Sequence, residues 1–366
     1  MHEFPEGLAA RGWTIRFIDF VESRGRRRGV TYASRLHRSE VTLETVPSFG
    51  NGIFRRLIAV FIALVWLPIR IARIKPAAVV LYAVPTFGWQ TVLACRLLRI
   101  PTIYRAIDLS SDIRETAFRR VVAKAEQFVA RRSTVSCPNT KALGTHLRQL
   151  GATNVSQLFP GFDEQQIVGS TLGYQKTILF MGTLFPFAGL EMFLAAAADK
   201  LRASPEVTVR VLGSGAAEDS IRRTIDELSL DSQVTLVGFV PYESLFEEMK
   251  DASVAILPFE LLPLTHVALP GKVPQYLRAG LPVVSTPLQG LQELLPEGSG
   301  VRYREPGTEF VNEVWRLLED PEERKELVEL GTRRLNEVAT WDTSLNGFEC
   351  VVEIAQSLER RRGDAG

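Results

Sequence analysis

Cysteine is scarce in this chain of 366 residues: Cys95, Cys137 and Cys350 are widely spaced and odd in number. They form neither a metal-ligand pair nor a disulfide framework, so a reducing cytoplasm is the expected home. The four histidines are scattered and suggest no metal cluster. No Asp-x-Asp pair occurs, and metal-independent chemistry with no cofactor is expected. No internal repeat and no low-complexity tract is present, apart from the charged end 359–364. No charged-then-apolar leader precedes Gly12, so no signal peptide is expected. Long apolar runs are also missing. The most apolar, 57–69 (LIAVFIALVWLPI), has 13 residues, contains Pro68 and is followed by Arg70 and Arg73. That is too short to span a bilayer. A core helix is the first expectation, and a helix lying in the membrane interface, fed by Arg55 and Arg56, the second.

What is present describes an ordinary globular protein, 46% hydrophobic and 23% charged, long enough for two α/β domains. The net charge of +1 hides a division. Residues 1–160 carry 24 Lys and Arg against 10 Asp and Glu, net +14, and the remainder carries 19 against 32, net −13. Such a split implies two domains with different partners. A basic first half suits an anionic membrane or a diphosphate-bearing acceptor rather than a nucleic acid. Arg26, Arg27 and Arg28 form a basic loop, and with Arg55 and Arg56 they are candidate acceptor or membrane contacts.

Along the chain, a helix ends near Gly12 and a strand follows at 14–20. Residues 77–82 (AAVVLY) and 101–104 read as buried strands, and 90–98 as the helix between them. Asp108 follows the second of these strands closely. Ligands of open α/β sheets bind outside the carboxyl ends of strands, so an acid there is placed for chemistry, although it also suits an N-cap. A helix over 117–132, a strand 133–136, a helix 141–150 and a strand 155–159 complete the first half. The domain boundary is expected at about 163–175, giving domains 1–165 and 166–340 and a closing helical stretch over 341–366.

In the second half, three strands end in glycine: ILFMG (178–182), VRVLGSG (209–215) and VTLVG (234–238). Further on, 272–279 has helical spacing, Gly280 fits a left-handed stop, and 282–285 is a short buried strand. Lys272 stands at the start of that helix, where free N–H groups and the dipole favour an anion, and Gln275 projects from the same face. Alone, this is an ordinary helix-to-strand connection with a solvated lysine. In order, ILFMGTL, GLE, VRVLGSG, VTLVGFVP, LFEEMKDASVAILPF and GKVPQYLRAGLPVVST resemble the nucleotide-sugar half of glycosyltransferases of the GT-B fold. A looser likeness covers nearly the whole chain.

The resemblance implies two Rossmann-like domains facing each other across a cleft, with the closing helix returning to the first. In this fold a strand and a glycine-containing loop normally precede the first helix; the sequence leaves no room for them, so a truncated start or an internal methionine taken as the start is expected. The likeness implies a donor site built from Met181, Gly182, Thr183, Gly213, Gly215, Phe239, Leu269, Lys272, Gln275 and Tyr276. Backbone groups and one cation would meet the departing diphosphate, and Phe239 would lie where a uracil ring stacks. Retaining members of glycosyltransferase family 4 carry an arginine and a lysine near the first glycine loop and two glutamates eight residues apart. Here Thr183, Ala188, Val267 and Gln275 occupy those positions. Lys272-x-x-Gln275-Tyr276, Phe180-Met181-Gly182 and Tyr104-Arg105-x-x-Asp108 look more like the xanthan-type glucuronosyltransferases. Those are inverting enzymes that move glucuronic acid from its UDP donor to a lipid-linked oligosaccharide at the inner membrane face. The match implies Asp108 as the base, with Arg105 or the N-terminal arginines as a cation near the sugar carboxylate. A retaining family-4-like transferase and a non-catalytic nucleotide-binding scaffold are the alternatives. A cytoplasmic protein, peripheral on the inner membrane face, is the expected setting.

Overall fold

The computed structural model describes residues 3–19, 41–47, 52–82, 87–109, 119–162 and 176–364. It divides into two compact units, Met1–Gly161 with Trp341–Gly366, and Phe162–Thr340. The basic loop holding Arg26, Arg27 and Arg28 lies outside the described residues, as does the expected boundary at 163–175.

Unit 1 opens with α1 (Glu3–Ala10), β1 (Ile15–Asp19), β2 (Val41–Thr45) and α2 (Gly52–Ile74). It continues with β3 (Val79–Leu81), α3 (Gly88–Leu97), β4 (Thr102–Ala106), α4 (Arg119–Arg132), β5 (Val135–Pro138) and α5 (Lys141–Gln149). β1 and β2 form one parallel pair, and β3, β4 and β5 a parallel sheet in that order. β4 and β5 are buried along their whole length, as expected for parallel strands covered on both faces. The expected strand at 155–159 reduces to one bridge, Ser136 with Val155. α2 corrects the 13-residue reading. It has 23 residues and runs through Pro68, and the arginines flanking the apolar run, good helix formers, extend it at both ends.

Unit 2 contains β6 (Lys176–Met181), α6 (Leu190–Ala203), β7 (Val207–Leu212), α7 (Glu218–Glu227), β8 (Val234–Gly238) and α8 (Tyr242–Met249). Then come β9 (Val254–Leu257), α9 (Pro263–Val267), α10 (Lys272–Arg278), β10 (Val283–Ser285), α11 (Gln289–Leu294), β11 (Val301–Tyr303), α12 (Thr308–Glu319) and α13 (Pro321–Val338). Its six strands are parallel in the order β11-β10-β9-β6-β7-β8. The chain leaves the central strand β6 for β7 on one side and returns to β9 on the other. This reversal opens a crevice at the carboxyl ends of the strands, the usual ligand site of such sheets.

The last helix, α14 (Trp341–Asp364), belongs to unit 1. Its residues Leu345, Phe348, Val351, Val352 and Ala355 share a core with Phe4 and Leu8 of α1, Ile103 of β4 and Val135 of β5. The Phe4 and Phe348 rings meet edge to face, 4.7 Å between centroids. Arg11 ties the same junction by ion pairs to Asp342 and Glu349.

Candidate donor site of unit 2

The site begins with three glycines at the carboxyl ends of neighbouring strands. Gly182, Gly213 and Gly238 have φ of 136°, 142° and 83°, a region that side-chain-bearing residues rarely adopt. Their backbones interlock: Gly182 N–H donates to Leu212 O at 2.8 Å, and Gly213 N–H to Gly238 O at 2.7 Å. A Cβ on Gly213 would lie 1.9 Å from the Gly182 carbonyl oxygen, and one on Gly215 2.4 Å from that of Leu184. The result is a floor of bare backbone. Thr183 is exposed at its edge.

Lys272 stands over this floor. A Cβ on Gly182 would come within 2.5 Å of its Nζ and 2.9 Å of its Cε. The ammonium lies 4.5 Å from the Phe180 ring centroid and 4.7 Å from that of Phe259, within cation–π range. Phe259 in turn meets Phe187 edge to face, and Phe187 stacks on Phe185. Although part of the Lys272 side chain reaches solvent, its ammonium sits among packed atoms, and desolvation brings its pKa down to about 7. Among the described residues no carboxylate pairs with it. A desolvated cation with only rings for company is an electrostatic deficit that an anion would fill.

Tyr276 fixes the lysine there. It is fully buried, accepts a hydrogen bond from Met181 N–H at 2.6 Å and donates to Met181 O at 3.3 Å. One bidentate contact thus clamps α10 to the end of β6, and Lys272, one turn earlier on that helix, is carried over Gly182. Gln275 is half-buried on the same short helix, and Leu269 is buried in the loop before it. Phe239 follows Gly238 and is 77% exposed, so its ring is free at the end of β8. The structure therefore brings Met181, Gly182, Gly213, Lys272 and Tyr276 together in direct contact. The aromatic surround of Lys272, above all Phe180 and Phe259, was missed in the sequence. Its only signal there was the run Phe180, Phe185, Phe187 around the first glycine.

In unit 1, Asp108 is exposed just past the carboxyl end of β4, and neighbouring atoms that displace water raise its carboxyl above the ordinary value. The N-cap alternative for Asp108 falls on residues 110–118, outside the described residues. Arg105 corrects the expectation that it contacts a sugar. It is 3% exposed and donates to Cys137 O at 3.0 Å and Leu158 O at 2.9 Å, so its guanidinium is spent on backbone carbonyls. Arg55 is also buried, which removes it from any surface contact, whereas Arg56 is half-buried.

Residues 175–320, which contain this floor and Lys272, match the family model described as glycosyl transferases group 1. The chain is similar to an alpha-D-kanosaminyltransferase of Streptomyces kanamyceticus, 26% identical over 42% of this chain and 39% of that one. It is also similar to an uncharacterized glycosyltransferase of Methanocaldococcus jannaschii, 28% identical over 51% of this chain and 47% of that one. The chain thus spans less than half the length of these two relatives. Among solved structures, Anabaena HepE in complex with UDP superposes with a TM-score of 0.70 at 16% identity, over 93% of this chain and 99% of that one. Sucrose-phosphate synthase of Thermosynechococcus elongatus gives 0.76 at 16% identity, over 100% and 92%. Such likeness shows the fold: two Rossmann-like α/β units of the GT-B class.

Proposed function

We propose that the protein is a glycosyltransferase that takes a sugar from a UDP-linked donor and passes it to a lipid-linked or saccharide acceptor. The observation that carries this reading is the Lys272 ammonium, desolvated and without a carboxylate partner, held over a glycine floor at the switch point of the unit 2 sheet. The diphosphate gains charge as the sugar departs, and a preorganised cation with backbone donors stabilises that charge in a dry site. The match of residues 175–320 to glycosyl transferases group 1 and the UDP complex of HepE support the same ligand.

The finer reading is an inverting transfer, with glucuronic acid the first sugar to test. The acceptor hydroxyl attacks the anomeric carbon, the bond to UDP breaks, and Asp108 takes the hydroxyl proton. A carboxylate raised by desolvation is a stronger base than a solvated one. The absence of glutamate at 267 and 275 supports this over the retaining alternative. Titration calorimetry with UDP tests the donor site. Lys272→Ala should weaken binding by about 1.5–3 kcal/mol, the scale of a charge-assisted hydrogen bond. Unchanged affinity would remove Lys272 from the site. A screen of UDP- and GDP-sugars for slow donor hydrolysis then identifies the donor, and the anomer of the product decides between inversion and retention.

A further inference from the structure

The donor reading concerns unit 2 and leaves a large surface of unit 1 without a role. α2 is divided lengthwise. Ala59, Ala63, Leu67 and Ile71 form a buried stripe, the last three packing against Val46 and against Ala94 and Cys95 of α3. On the opposite side Phe54, Leu57, Phe61, Leu64, Val65 and Ile69 are exposed, Phe54, Phe61 and Val65 by 72%, 69% and 65%. These six positions fall on one face at helical spacing. The neighbouring α3 turns out Leu93 and, 83% exposed, Leu97. Apolar side chains of this size gathered on one face mark an interaction site rather than ordinary surface.

Charge identifies the partner. Residues 45–107, which hold α2 and α3, contain no Asp or Glu; of their eight Lys and Arg, Arg55 and Arg105 are buried and Arg70 is paired with Glu44, which leaves five. Arg73, Lys75 and Arg99 are exposed close to the carboxyl ends of the two helices. We propose that this face docks on an anionic lipid surface, with α2 lying in the membrane plane, its exposed stripe at the headgroup–acyl boundary and its cations among the headgroups. A second copy of the chain would bring like charges together, which disfavours it as the occupant. By length and mean hydropathy, 21 residues at 2.2, residues 54–74 would also cross a bilayer. The buried stripe argues against crossing. Leaving α3 would undo the Ala63–Leu67–Ile71 seam and carry Arg70, bonded to Glu44 at 2.6 Å, into hydrocarbon.

Flotation of the full chain with phosphatidylcholine vesicles, with and without phosphatidylglycerol, tests the proposal. Binding should require phosphatidylglycerol and fall steeply with salt, each cation at the surface being worth roughly fivefold. Phe61→Glu with Val65→Glu should lower binding by about tenfold or more, and Arg73→Glu with Lys75→Glu by a similar factor. Both variants should keep the parent's melting temperature and UDP affinity, which separates this test from that of the donor site. Three results would each overturn the proposal. They are equal flotation with neutral vesicles, undiminished binding of both variants, and a parent dimer that Phe61→Glu with Val65→Glu converts to monomer without any vesicle binding. Retention in vesicles after alkaline carbonate washing would overturn the in-plane placement in favour of a spanning helix.

Discussion

At the scale of the residue, the site rests on one lysine held away from its preferred surroundings. Desolvation pushes the Lys272 ammonium down to about 7 in the folded chain, against about 10.5 for an exposed lysine. Between those values the unfolded state binds more protons than the folded one, so stability rises with pH across that window. Below pH 7 the full cost of the buried charge is present. Lys272→Met should therefore stabilise the unliganded protein at pH 6, by roughly 1–3 kcal/mol after discounting for partial solvation, and the gain should fade towards pH 10. Urea titrations at the two pH values measure this, and a variant less stable than the parent at pH 6 would contradict it. UDP binding selects the ammonium form, so affinity should weaken as pH rises above 7, by at most tenfold per unit. Asp108 calls for a different measurement. Asp108→Asn keeps the side-chain shape, so melting temperature and UDP affinity should hold while turnover falls by roughly 10²–10⁴. Near-normal turnover would move the base elsewhere.

At the scale of the element, the glycine-ended strands do what their sequence announced. A run such as VRVLGSG pairs β-branched residues with a glycine stop, and both signals are local. What was not legible depends on pairs far apart in the chain. Tyr276 meets Met181, and Lys272 covers Gly182, across 90 or more residues, and no window of the sequence carries that information. Arg105 misled because it stands three residues before Asp108. The strand, however, points it inward, to carbonyls 32 and 53 residues further on. α2 was read short because hydropathy stops at an arginine, while helix propensity does not. Its two-sided character emerges only once α3 covers one stripe. The close approach of β6 and β7 gives the prediction of this scale. Gly213→Ala places a Cβ 1.9 Å from the Gly182 carbonyl oxygen at a φ of 142°. Since backbone must shift on both strands, the variant should lose about 3 kcal/mol or more, read from the urea midpoint, and UDP affinity with it. A stable variant that still binds UDP would show that the floor yields.

At the scale of the whole molecule, the division of charge follows the division of the chain. The segments 1–161 and 341–366 carry 27 Lys and Arg against 15 Asp and Glu, and 162–340 carries 16 against 27. Among the described residues, each unit has sheets of its own. Anion binding to unit 2, as proposed, takes place in an acidic body, where a desolvated lysine and bare backbone must provide what net charge does not. Membrane docking, as proposed, uses the basic body. This separation predicts where a nucleotide is felt. A ligand that binds only the folded state stabilises it by about 2.7 kcal/mol at a hundredfold excess over Kd, equivalent to roughly a hundredfold in the opening equilibrium. Amides of β6, β7 and β9, central in the unit 2 sheet, exchange through the larger opening of that unit. Under UDP they should slow by roughly a hundredfold, while amides of β4 and β5 in unit 1 keep their rates. Hydrogen exchange followed by mass spectrometry resolves the two sets in one experiment. Equal protection of both would mean that the units open together, and protection of β4 and β5 alone would place the nucleotide in unit 1 and overturn the site built around Lys272.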